Sequence, residues 1–157
     1  MLARLVIIAW LGSIGCATKY AYTFQLASPG ARVAQRPGDY DVLEDGDLKA
    51  GIAIDTTADA LLLDLTNKTD QVIQVDWAKI AITRPSGGVT LLRPDVDLGW
   101  LAPGAHVAAR LFPVALPRSG SAAATDQGRQ FQIDVPVIVR REPKQYHFAL
   151  VAHVREL

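Results

Sequence analysis

The chain has 157 residues, half of them hydrophobic, with 16 lysines and arginines balancing 16 aspartates and glutamates, and one cysteine. The charge balance excludes a polybasic surface for nucleic acid or anionic lipid. A lone cysteine excludes an internal disulfide and a multi-cysteine metal site, and the length suits one domain with a sizeable core.

The chain opens MLARLVIIAWLGSIGCATKY. Arg4, an apolar run from Leu5 to Leu11 and small residues after it have the layout of a secretory signal peptide. The stretch from Leu5 to Thr18 falls short of the roughly 20 residues that span a bilayer. Ser13-Ile14-Gly15-Cys16 resembles a bacterial lipobox, with Ser13 where leucine is usual. That resemblance implies cleavage before Cys16, a diacylglycerol on its thiol and acylation of the new amine. It divides the chain into a signal peptide (1–15), a lipidated Cys16 with a short tether (16–19) and a single domain (20–157). Each buried methylene contributes about 0.8 kcal/mol, so several acyl chains give stable attachment. Ala17, not aspartate, follows the cysteine. By resemblance to enterobacterial sorting rules, this implies the outer membrane, facing the periplasm.

Beyond the tether the sequence alternates, as half-buried strands do. YAYTFQL puts Tyr20, Tyr22, Phe24 and Leu26 on one face, and a loop with Pro29, Gly30, Pro37 and Gly38 follows. Leu48, Ala50, Ile52 and Ile54 share a face, as do Leu61, Leu63 and Leu65. Asn67 to Asp70 has turn composition. Ile73, Val75 and Trp77 then alternate until the period breaks near Ala78, which predicts a bulge. Trp77 is expected in the core. Arg84–Gly88 reads as a turn, Val89–Leu92 as a strand, Pro103-Gly104 as a turn, and Val107, Ala109 and Leu111 as a strand face. Residues 119–128 read as an exposed flexible loop. In RQFQIDVPVIV, Pro136 predicts an edge strand or bulge. REPKQ reads as the turn before a last strand with Tyr146, Phe148, Leu150, Ala152 and Val154 on one face. Seven to nine short strands with regularly spaced turns predict an all-β, antiparallel sandwich.

Three segments carry a wider resemblance: LLLDLTNKTDQVIQVDW (Leu61–Trp77), LAPGAHVAARLFP (Leu101–Pro113) and IDVPVIVRREPKQYHFALVAHV (Ile133–Val154). In these the chain resembles a loosely defined group of uncharacterised bacterial envelope lipoproteins. Ala78 follows Trp77 where the group often has an acidic residue, and Asp76 precedes it. The resemblance implies an immunoglobulin-like β-sandwich and an envelope location, and it carries no activity.

Candidate chemistry is sparse. Asp41-x-Leu43-x-Asp45-Gly46-Asp47 echoes an EF-hand calcium loop, but Leu43 and Ile52 occupy positions that require ligands. Solvated turn carboxylates are the expectation there. His147 and His153 share a strand face about 20 Å apart, too far for one ion, and His106 follows a turn. No nucleophile elbow or phosphate-binding glycine loop occurs. Asn67-Lys68-Thr69 matches a glycosylation acceptor, which a bacterial lipobox makes irrelevant.

The sequence thus assigns no catalytic, cofactor-binding or metal-binding residue and marks Cys16 for lipidation. It reads as a non-enzymatic lipoprotein whose partners are the membrane, through its anchor, and an envelope protein met at exposed sheet edges. The alternative is a periplasmic small-molecule or ion binder, its pocket lined by Tyr20, Tyr22, Phe24, Trp77, Trp100 and Tyr146.

Overall fold

The computed structural model describes residues 20–27, 40–55, 58, 60–96, 99–113 and 125–156. The signal segment, Cys16, the loop over 29–38 and residues 119–124 lie outside the described residues. The fold is all-β and antiparallel. Its strands are β1 (Tyr20–Leu26), β2 (Asp41–Glu44), β3 (Leu48–Asp55), β4 (Ala60–Asn67), β5 (Ile73–Val75) and β6 (Ala81–Thr83). After these come β7 (Val89–Pro94), β8 (Trp100–Leu101), β9 (His106–Pro113), β10 (Gln130–Val139) and β11 (Glu142–Glu156).

The strands form one curled sheet in the order β1-β11-β10-β6-β7-β9-β4-β3-β2, with β5 beside β10 and β8 beside β5. The curl is made at β7. Its residues 89–91 pair with β6, and its residues 92–94 pair with β9. One arm therefore holds β1, β11, β10, β6, β5 and β8, and the other holds β9, β4, β3 and β2. The inward positions of both arms meet in one cluster. Leu48, Ala50 and Ile52 of β3 and Leu63 and Leu65 of β4 join Ile133 and Val135 of β10 and Phe148 and Leu150 of β11. All nine are buried. Each such large side chain contributes about 1.5–3 kcal/mol, which explains why a domain with no disulfide needs this alternation to be strict. Phe24 of β1 packs edge-on to Phe131, with centroids 5.4 Å apart.

Four expectations change. The period break after Trp77 is a turn of 3-10 helix, Trp77–Lys79, not a bulge. It carries the chain from β5 to β6 while keeping Trp77 and Ile80 buried. Pro136 is not on an edge. β10 pairs with β11 along its whole length, and on its other side with β5 and β6. Pro136 falls between those two short partners, opposite the 3-10 turn, where its carbonyl accepts from Asp76 N–H at 3.1 Å. Its missing N–H points the same way, into the gap where no ladder donor is required. The loop expected over 119–128 ends in a described helical turn that buries Asp126. β8, two residues long, is an addition that no alternation announces.

The fourth change is the last hairpin. Val139 pairs with Glu142, so the turn is Arg140-Arg141 alone, and residues 142–145 already belong to β11. Both arginines have positive φ, 51° and 71°. A two-residue hairpin loop of this type needs left-handed backbone at both positions, which is why Asn-Gly is preferred. Replacing Arg140-Arg141 by Asn-Gly is expected to stabilise the domain by about 1 kcal/mol, since left-handed backbone disfavours residues with a Cβ. The loss of Arg140's exposed ion pair subtracts little. Urea denaturation of the two proteins would measure the gain, and an unchanged or lower midpoint would contradict it.

Candidate functional site

The connections β2–β3, β4–β5, β8–β9 and β10–β11 gather at the end of the sheet remote from Tyr20, and the densest polar chemistry is there. Asp45 begins the β2–β3 turn. Its Oδ1 accepts the N–H groups of Asp47 (2.8 Å) and Leu48 (3.0 Å), which folds the turn. Its Oδ2 receives Lys144 Nζ at 2.6 Å and the Tyr146 hydroxyl at 2.9 Å, both from β11. Lys144 also reaches Asp47 Oδ2 at 2.9 Å, and Arg140 lies 3.6 Å from Asp47 Oδ1. The cluster clamps the hairpin of one arm to the hairpin of the other.

Its electrostatics follow from these contacts. Partial burial pushes the Asp45 carboxyl up. The hydrogen bonds from Lys144, Leu48 N–H, Asp47 N–H and Tyr146 outweigh that and hold it well below the usual range. The same bonds from Asp45 and Asp47 hold Lys144 charged above its ordinary value. Burial, then the bond to Asp45, pushes the Tyr146 phenol up to about 12. At neutral pH Asp45 is therefore held ionised, Lys144 charged and the Tyr146 phenol protonated. The Asp41–Asp47 carboxylates expected in solvent are, at 45 and 47, bound to cations instead. Beside them is a shallow groove of about 380 Å³ lined by Asp47, Val139, Arg140, Glu142, Pro143 and Lys144.

A second network sits at the end of β4. Asn67 is buried. Its Nδ2 lies 2.7, 2.9 and 3.1 Å from the carbonyl oxygens of Gln71, Leu101 and Ala102. Its Oδ1 accepts Thr69 N–H at 2.8 Å. One side chain thus satisfies backbone of the β4–β5 and β8–β9 connections and of Leu101, and fixes β8 in place. The glycosylation pattern at Asn67 is this network seen in sequence; its amide nitrogen is wholly engaged by carbonyls.

The remaining candidates are scattered. His106 Nε2 lies 2.9 Å from Asp64 on one arm. His147 Nδ1 lies 2.7 Å from Asp134 on the other. His153 is half-buried. Among the described residues no three His, Cys, Asp or Glu are grouped to hold a metal ion. Trp77 and Tyr146 are core residues, whereas Trp100 stands 65% exposed on the outside of β8. The structure thus sets Trp100 apart from Trp77 and Tyr146, and the side chains of Tyr20 and Tyr22 lie outside the described residues. Cys16 lies outside the described residues.

Asp45, Lys144 and Tyr146 come together from positions about a hundred apart in sequence, and only the Asx-type turn at Asp45 had a local signal. No family model, no curated protein and no solved structure matches the chain.

Proposed function

We propose that the chain is a lipid-anchored bacterial envelope protein whose domain, a β-sandwich of immunoglobulin-like type, acts as a non-catalytic interaction or accessory module. The observation that carries this reading is the lipobox-like Ser13-Ile14-Gly15-Cys16, set four residues before the first strand of an all-β domain. Four residues reach about 14 Å at most, so the anchor would hold the Tyr20 end at the membrane surface. The hairpin end, with its clamped Asp45–Lys144 cluster, would face away from it. The two arms around a single core support the sandwich reading, and the residue after the cysteine supports placement in the outer membrane, facing the periplasm.

The test is acylation. Cells expressing the full chain and its Cys16→Ser variant are fed an alkynyl palmitate, and membranes are separated by density. The full chain is expected to be labelled and to sediment with the outer membrane. The variant is expected to lose the label completely and to leave the membrane fraction. A wild-type chain without label would overturn the anchored reading. In-cell crosslinking of the anchored protein would then test the module itself.

A further inference from the structure

The sheet order ends at β1 on one arm and at β2 on the other, and the two ends are protected differently. β1 comes close to β3, and the stretch of β11 that runs beyond β1 carries Pro143. Ala27 N–H bonds to the Ala149 carbonyl at 2.8 Å, so the odd-numbered residues of β11 address the side on which β1 lies. Alternation puts the ring nitrogen of Pro143 on that side, where it offers no donor to a further strand.

β2 has no proline. Asp45 N–H bonds to the Leu48 carbonyl at 3.1 Å. By alternation Asp41 and Leu43 address β3, while Val42 and Glu44 turn their N–H and C=O groups to the open side. Among the described residues no strand pairs with that side. The strand is held firmly. Tyr40 lies over Gly51, where a Cβ would come within 3.1 Å of its ring, and Asp45 ties the β2–β3 turn to β11. Tyr40 and Val42 are exposed on the outer face. The inner face carries Leu43, packed against the core, and Asp41. Asp41 is half-buried, and among the described residues nothing forms an ion pair with it.

We propose that this edge accepts an extended segment of a partner protein, added antiparallel to β2 and carrying the motif apolar-x-Lys/Arg. The proposal rests on the interaction-module reading above and names the contact through which the module acts; it does not depend on the anchor. Unpaired N–H and C=O groups at strand spacing are matched by another extended backbone. On the open side Leu43 and Asp41 fall at positions without ladder bonds, where facing Cα atoms come within about 4.5 Å and side chains meet most closely. A segment with an apolar residue opposite Leu43 has its residue two places later opposite Asp41. A half-buried carboxylate there calls for a cation. A second copy's β2 cannot supply one, because its sequence, DVLE, holds two carboxylates and no base. The same inward charge keeps unmatched strands off the edge.

The experiment uses the full chain and a displayed library of random nine-residue peptides. Val42→Pro removes one open-side donor and leaves the ladder to β3 intact, so its circular dichroism is expected to be unchanged. Peptides kept by the wild type and lost by Val42→Pro are expected to share apolar-x-Lys/Arg. Asp41→Lys should weaken them by about tenfold or more, and a glutamate in place of the peptide's basic residue should restore binding to that variant. Amide exchange at Val42 and Glu44 should slow when the peptide binds. Should Val42→Pro fail to fold, the charge exchange at Asp41 decides alone. Selected peptides without the motif, peptides indifferent to both variants, or a wild type that dimerises through β2 would each overturn the proposal. So would an envelope partner crosslinked in cells whose capture Val42→Pro leaves unchanged, and in that case the module reading stands. Motif peptides that bind at β2 while no partner is crosslinked in cells uphold the edge and count against the module reading.

Discussion

Replacing Asn67 by alanine is expected to destabilise the domain by about 3 kcal/mol, because it strips partners from buried backbone carbonyls. The side chain is 1% exposed, and its amide serves Gln71, Leu101 and Ala102 while its oxygen orders Thr69. Removing a partner costs more than the bond contributes, since the groups left behind stay buried and unsatisfied. For a domain of this size the loss corresponds to about 10 °C in Tm. The neighbouring Asp70→Ala, exposed in the same turn, should stay within about 0.5 kcal/mol. Thermal and urea unfolding of the two variants would compare them. Equal, small effects would show that the network is dispensable and that β8 is held by its ladder to β5 alone.

The second large effect is expected at Asp45, and it should depend on pH. The folded chain holds this carboxyl below its unfolded value of about 3.9. Its stabilising contribution is therefore complete above about pH 5. It declines as pH falls through 3.9 and on toward the lower folded value, because each proton taken up favours the unfolded chain. Lys144 is shifted the other way. Its contribution is full below about pH 10.4 and is lost only as pH rises through the higher folded value. Asp45→Asn should cost about 1–2 kcal/mol at pH 7, a figure kept low because a third of the side chain meets solvent. At pH 2.5 the cost should be halved or less. Urea titrations followed by tryptophan fluorescence at both pH values would decide. A pH-independent loss would mean that geometry, not charge, holds the two hairpins together.

Strands with a strict period of two were legible in the sequence because burial on one face leaves a mark at every second residue. β4, β10 and β11 are the examples, and with β3, where Gly51 and Ala53 are buried too, they specify an all-β chain. The features that were not legible depend on what lies across the sheet. Pro136 reads as an edge signal until β5 and β6 are seen to leave a gap opposite it. Arg140-Arg141 carries no turn chemistry, and the pairing of Val139 with Glu142 forces it to be the turn. β8 is too short to alternate. At the candidate site, the carboxylates of Asp45 and Asp47 stood out, but their partners are long-range. Lys144 and Tyr146 lie on inward positions of β11 and meet the other arm only once the sheet curls. Asn67 was visible as a turn residue, whereas its contacts with Leu101 and Ala102 come from a distant part of the chain.

β1 is joined to β11 over seven residue pairs, from Tyr20 opposite Glu156 to Leu26 opposite Leu150. This pairing determines how the domain bears force. A pull on Tyr20 directed along β1, away from the sheet, slides the strand against its neighbour and loads all seven pairs together. A pull across the strand opens the same pairs one after another and meets far less resistance. A load applied at the foot of β1 is of the first kind whenever the opposite, hairpin end is held. The proposed anchor at Cys16 would therefore load the domain in its resistant direction, and a sideways push would load it in the weak one.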